Sequence, residues 1–333
     1  MRLFRTTAAA LFYYSAAETI LRHWVRTQGV RVFAFHSVQE QSPLTRLAGL
    51  CIDPATFERK IRFLARYPCV TMTDIAEAAE GKRNLPSRAV AVTFDDGYAD
   101  NYHTAYPLLK KYGMRATIYL TTDYIGSDEW LPLNRLYDAI WRTATRRIQL
   151  TRASLGEEAE HDTSLPVETE HDKKRAAVYL RKGLKRMNAQ EFEQNIELLC
   201  GQLLQRISRP RGREFDMLQW DQIRAMRDTV EFGSHTRRHC IVARASEERL
   251  REELVASKTE IECQLQQGVF HFAYPDGSRE AYTSRAIDLL KITGYRTAVT
   301  TVRGVNESLD EIYQLKRLSP SAPNCVLAFD LLA

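Results

Sequence analysis

Along the chain, short apolar runs rich in β-forming residues alternate with stretches whose apolar positions recur every three to four residues. The runs are RVFAFH (31–36), CVTM (69–72), AVAVTF (89–94), RATIYL (115–120), VEFG (230–233), VFHFAY (269–274) and YRTAVTT (295–301). Helix-period segments at 56–67, 102–112, 246–267 and 285–293 lie between them, and Ser246, followed by glutamates, reads as an N-cap. Short strands separated by helices predict an α/β protein with a largely parallel sheet, open or closed into a barrel.

The rhythm fails between about residues 141 and 216. There an acidic stretch, GEEAEHDTSLPVETEHD, leads into the basic KKRAAVYLRKGLKR and then EFEQNIELLCGQLLQRI. This predicts a helical insertion without strands, whose charges form a solvated face. The N-terminus is apolar over too short a length to span a bilayer, and Glu18 interrupts it. Leu11, Tyr14, Ile20, Leu21 and Trp24 interleave with Arg22, His23 and Arg26. Residues 1–29 therefore read as an amphipathic helix, either packed on its own domain or lying on an anionic membrane surface. A cleaved export signal is the remaining alternative, and residues 30–333 form one large domain.

Composition changes this picture little. The chain has 333 residues, 44% hydrophobic and 27% charged, as an ordinary globular protein does. A net charge of +5 is a mild excess, and no basic-aromatic motif points to nucleic acid. The six cysteines (51, 69, 200, 240, 263 and 325) are scattered and form no CxxC, so they read as reduced thiols. With no secure export signal, the expected place is the cytoplasm or the periphery of the inner membrane.

The chemistry gathers at two strand ends. AVAVTF is followed by Asp95, Asp96 and Gly97. Adjacent carboxylates repel when desolvated, so they either end a strand at a plain turn or face a cation or shared proton. After VEFG, His235 and His239 stand four residues apart, on one side of a helical turn, where both imidazoles reach one metal. Two histidines and one carboxylate make a three-ligand set for a catalytic divalent ion, and the second aspartate is then placed as a general base for water. A surface helix with two histidines is the bland alternative.

TFDDGY and SHTRRH resemble the first two motifs of the polysaccharide deacetylase family, the NodB-homology domain. FAFHSV, LKKYGMRATIYL, FAYPDG, GYRTAVTT and LKRLSP extend the resemblance in order over most of residues 30–320. It implies a distorted (β/α)7 barrel and metal-dependent removal of acetyl groups from N-acetylated sugars. It also implies Asp96, His235 and His239 as metal ligands, Asp95 as base, and a backbone N–H near Tyr98 at the oxyanion. Zinc is the implied metal, and this donor set also accepts cobalt or nickel. The implied partner is an acetylated amino-sugar glycan of exopolysaccharide, capsule or lipid-linked synthesis. The alternatives are another substrate, such as peptidoglycan, and an inactive glycan-binding module.

Two departures matter. Many members carry the catalytic acid on a C-terminal histidine, and here no histidine follows His271. In the exopolysaccharide branch the acid lies in a YHxV-like motif, which reads FHSV here and nominates His36. Taken alone, His36 is simply a histidine at a strand end. Many members also have an arginine two residues before the proline of FAYPDG to orient the base, and Ala273 stands there. Arg317 in LKRL is a candidate for that task. Tyr274 and Pro275 are expected at the sugar site, Asp276 at a turn, His103 on the surface and His271 in the core.

Overall fold

A computed structural model describes residues 29–150, 163–204 and 212–319. Seven parallel strands close into a barrel in the order β1, β11, β10, β9, β8, β5, β4. They are β1 (Val30–Phe35), β4 (Ala89–Phe94), β5 (Ala116–Leu120), β8 (Val230–Ser234), β9 (His271–Ala273), β10 (Thr297–Arg303) and β11 (Leu315–Leu318). Ring closure comes from β1 and β4, paired in register from Val30 opposite Ala89 to Phe35 opposite Phe94. This register brings the next residues, His36 and Asp95, out at the same height.

Strand alternation sorts the side chains. Val30, Val32, Ala89, Ala91, Ala273, Val299 and Leu315 pack together in one cluster inside the barrel. Phe33, Phe35, Val90, Val92 and Phe94 belong instead to the shell that meets the helices. There Phe35 meets Phe57 edge-on at 5.1 Å and stacks on Phe94 at 5.4 Å. Each such ring contributes on the order of 2–3 kcal/mol by burial. The same parity carries Thr93 on β4 and Arg317 on β11 toward the interior and continues to Asp95 and His36, each one residue past its strand.

Most predicted helices appear with shifted ends: α2 (Pro54–Leu64), α9 (Glu247–Leu265) with Ser246 as its N-cap, and α10 (Ser284–Ile292). The predicted 102–112 helix starts as a π turn, Asn101–Ala105, before α4 (Tyr106–Lys111). Pro107 has no N–H to donate back to residue 103, which loosens that turn.

Two expectations are corrected. CVTM is not a barrel strand: Cys69 makes one bridge to Val90, and Thr71 with Asp74 forms a capping box that starts α3 (Met72–Ala79). The seventh strand is instead β11, whose Leu-Lys-Arg-Leu carries too much charge to read as an apolar run. The insertion is not strand-free either. It contains an antiparallel hairpin, β6 (Arg147–Leu150) with β7 (Thr163–Pro166), ahead of α6 (Glu170–Leu184) and α7 (Ala189–Leu204).

Cys51, Cys69, Cys200, Cys240 and Cys263 are free thiols. Among the described residues no helix is long and apolar enough to cross a membrane. The expected N-terminal helix, residues 1–28 above all, lies outside the described residues.

Candidate active site

The two aspartates diverge because the backbone turns between them. Asp95 continues the inward parity of β4, and its N–H donates to Phe35 O at 3.0 Å. Asp96 then takes φ 75° and Gly97 φ 89°, with Gly97 N donating to Asp95 O. A left-handed aspartate costs about 1–3 kcal/mol and persists only where neighbours impose it. Here Leu218 N donates to Gly97 O and Ala99 N to Asp216 O, clamping the turn from the far side. The positive φ favours glycine at position 97, and a Cβ there would also press on Ile125 Cδ1 at 2.9 Å.

Asp95 is held by Arg317. Nη1 donates to Oδ1 at 2.7 Å and Nη2 to Oδ2 at 2.6 Å, with side-chain exposures of 1% and 3%. The guanidinium is fixed in turn by Thr300 O at 2.6 Å and Thr93 Oγ1 at 3.2 Å. Burial pushes the Asp95 carboxyl up and the charge and hydrogen bonds of Arg317 pull it down, with the net below its ordinary value. A buried, ionised carboxylate at the mouth of a barrel is the state a general base needs.

Asp96, His235 and His239 come together from two strand ends, with one donor atom from each within 4.8 Å of the others. The histidine pair is not on a helical turn, which corrects the expectation. Thr236 and His239 have φ of 65° and 60°, so 235–239 is a folded loop. Its shape is imposed from outside. Glu253 Oε2 accepts from Arg237 N at 2.8 Å and Arg238 N at 2.9 Å, while Asp123 takes the Nε of both arginines. Thr236 Oγ1 accepts from Cys240 N. His235 Nδ1 lies 2.8 Å from Ala273 O, which assigns the proton to Nδ1 and leaves the Nε2 lone pair facing Asp96.

The donor set fits a metal. Asp96 Oδ1 is buried and has no hydrogen bond, yet His235 Nε2 and His239 Nε2 face it at 3.5 and 3.3 Å. Bonds of 2.0–2.1 Å in a tetrahedral site put neighbouring donors about 3.3–3.4 Å apart. Burial raises Asp96 and the two imidazoles lower it, leaving it well below the usual carboxylate range. An ionised carboxylate aimed with two ring nitrogens at one point is a site for a borderline divalent cation.

His36 stands across from this trio, its Nε2 3.7 Å from Asp95 Oδ2 and its side chain 25% exposed. Burial lowers its pKa against the attraction of Asp95 and Asp96. It opens onto a cleft of about 630 Å³ that also meets Gln41, Arg59, Thr301, Arg317 and Ser319.

The remaining expected residues are placed differently. Tyr274 does not line this cleft. Since Ala273 faces inward, Tyr274 faces the helix shell, where its hydroxyl donates to Tyr313 O and its ring stacks on Tyr282 at 4.6 Å. Pro275 is buried behind it. The Tyr98 ring is also buried, with its hydroxyl accepting from Asn134 Nδ2 at 2.9 Å and lying against the Asp96 carboxylate. Asp276 makes the expected turn with Ser278 N and, beyond it, pairs with Lys185 of the insertion at 2.5 Å. His103 lies at the surface beside Gln222, and His271 is buried between Thr73 and Thr297.

Sequence reasoning passed over Glu253 and the Ala273 carbonyl. Glu253 carried a signal, since it falls on the buried stripe of α9 with Leu250, Leu254, Ser257 and Ile261. A backbone carbonyl carries none.

The structure is thus a closed parallel barrel with an Asp-His-His trio and a separately held carboxylate at one mouth. The chain belongs to the polysaccharide deacetylase family, whose model matches residues 82–298. It is 30% identical over 114 residues to a poly-beta-1,6-N-acetyl-D-glucosamine N-deacetylase of Staphylococcus epidermidis, covering 31% of this chain and 39% of that protein. The chain thus spans well under half of that relative. Its fold matches IcaB from Ammonifex degensii with a TM-score of 0.59, over 92% of this chain and 99% of that one, at 18% identity. It also matches the Streptococcus pyogenes deacetylase PplD in complex with acetate, with a TM-score of 0.58 over 91% and 98%, at 18% identity.

Proposed function

We propose that this protein is a metal-dependent N-deacetylase that cleaves acetyl groups from an N-acetylhexosamine glycan of exopolysaccharide, capsule or lipid-linked synthesis. The observation that carries the reading is the division of the aspartate pair. Asp95 is locked to Arg317, and Asp96 keeps one oxygen, Oδ1, without a hydrogen bond between two imidazoles.

Asp96, His235 and His239 would hold the cation, zinc by default, or cobalt or nickel. Bound there, it supplies Lewis acidity to the acetamide carbonyl and eases deprotonation of the attacking water. Asp95 takes the proton of that water, with Arg317 keeping the carboxylate ionised and aimed. A backbone N–H near Tyr98 donates to the carbonyl oxygen as it becomes an oxyanion. His36 protonates the departing nitrogen, which leaves as a free amine, and acetate is the other product. Asp95 and His36 reach the mouth at one height because β1 and β4 are in register.

The cleft beside His36 and Arg317 has a volume typical of small-ligand sites. The relative acting on poly-β-1,6-N-acetylglucosamine supports this substrate class. Arg317 takes over the task left open by Ala273, which counts against an inactive binding module.

Acetate release from N-acetylglucosamine oligomers by the zinc-loaded protein tests the reading. Wild type is expected to release one acetate per amine formed, and Asp95→Asn at least about 100-fold less. Bound zinc with no release from β-1,4 or β-1,6 oligomers would overturn it.

A further inference from the structure

We propose that Asn101, braced by Asp100, is a positioning residue for the acid His36. The inference rests on the reading of His36 as the acid.

His36 is the first residue beyond β1, past the end of the β1–β4 ladder, so nothing in the barrel itself fixes its backbone. It is fixed from two sides: β2 (Ser37–Val38) pairs with β3 (Cys51–Ile52), and the segment just after the aspartate pair holds the same stretch and, alone of the two, reaches the His36 carbonyl. Asn101 is 1% exposed, and its Nδ2 donates to His36 O at 2.7 Å and to Asp100 Oδ1 at 3.0 Å. Asp100 Oδ1 also accepts from Val38 N at 2.9 Å. Its Oδ2 accepts from Ser37 Oγ at 2.7 Å and Gln39 Nε2 at 3.0 Å. Residues 36–39 are therefore gripped at four consecutive positions by two adjacent side chains.

The grip is built for this place. Asn101 opens the π turn 101–105, a rare widening that sets residues 100 and 101 side by side against the chain leaving β1. Counting Asp95 N to Phe35 O, the seven residues 95–101 hold the base, the metal-ligand carboxylate and the backbone of the acid as one unit. Proton transfer to a leaving nitrogen tolerates little displacement, and the bond from Asn101 to the His36 carbonyl restrains the one residue between β1 and β2. Asn101 Oδ1 is buried without a hydrogen-bond partner, a cost of about 1–3 kcal/mol that the two Nδ2 bonds offset only in part.

A merely structural clamp and a positioning clamp differ in leaving-group dependence. An N-acetyl sugar needs a proton on its nitrogen, whereas the phenolate of p-nitrophenyl acetate leaves without one. Asn101→Ala is expected to lower kcat on N-acetylglucosamine trimer about 10- to 100-fold with KM nearly unchanged. Its hydrolysis of p-nitrophenyl acetate should stay within about threefold of wild type. Asp100→Asn, which preserves shape, should move the same ratio in the same direction, and serves if the alanine variant does not fold. Equal losses on both substrates, or no loss on either, would overturn the proposal.

His36→Ala separates the two readings. If it leaves the amide-to-ester ratio unchanged, His36 is not the acid and the parent reading fails. If it changes that ratio while Asn101→Ala does not, only the present inference fails. Imidazole ¹⁵N resonances give a readout independent of turnover. In Asn101→Ala the His36 signals should shift and those of His271 stay in place, and unmoved His36 signals would refute the positioning role.

Discussion

Replacing Arg317 by methionine would test how the base is held. The side chain is almost wholly inside the barrel and ends in two short hydrogen bonds to Asp95. Removing one partner of a buried ion pair costs about 3–5 kcal/mol, mostly for leaving the other charge uncompensated. Arg317→Met also strips Thr300 O and Thr93 Oγ1 of a donor, adding about 1 kcal/mol. Asp95→Asn keeps the shape and should cost less, about 3 kcal/mol. In the double variant neither charge remains, so the costs should fall short of their sum by about 2 kcal/mol or more. Urea unfolding of the four proteins in chelator, which removes metal linkage, reads these values directly. Costs that add to within about 0.5 kcal/mol would refute the claim that this pair is one electrostatic unit. So would an Arg317→Met variant as stable as wild type.

Two further outcomes follow from the same geometry. Glu253→Gln should weaken zinc binding about tenfold in calorimetry, because one carboxylate oxygen holds both amides between the two histidine ligands; unchanged affinity would mean that the loop holds its own shape. Burial lowers the His271 pKa from 6.5 to about 3, so the native state keeps this ring neutral where the unfolded chain protonates it. Stability from this group is present above the unfolded value and falls with acidification between about 6.5 and 3. Wild type should lose about 2 kcal/mol from this residue between pH 7 and about pH 5, and urea midpoints for His271→Gln should show a shallower slope.

The barrel was largely legible because its strands mostly obey one alternation, small or branched residues inward and larger ones outward, with Tyr119 an inward exception. β11 escaped notice where that alternation was spent on function. An inward arginine is a poor strand signal until the carboxylate opposite it is known. CVTM misled for the opposite reason: its residues favour strand, but Thr71 and Asp74 cap a helix. The histidine spacing identified the right pair on the wrong geometry. Four residues bring two imidazoles together on a helix, and here a loop with two left-handed residues does so, shaped by Glu253 and Asp123 from elsewhere in the chain. The motif places Tyr274 at the sugar site. Its neighbour Ala273 faces the barrel interior, so Tyr274 faces away.

The central claim is that the adjacent aspartates have separate duties, one holding a cation and the other moving a proton. Equilibrium dialysis against zinc, paired with acetate release from N-acetylglucosamine oligomers, measures both in Asp95→Asn and Asp96→Asn. The account predicts that Asp95→Asn binds one zinc per chain as wild type does while releasing almost no acetate, and that Asp96→Asn loses the zinc. Zinc lost from Asp95→Asn, or retained at full affinity by Asp96→Asn, would contradict it.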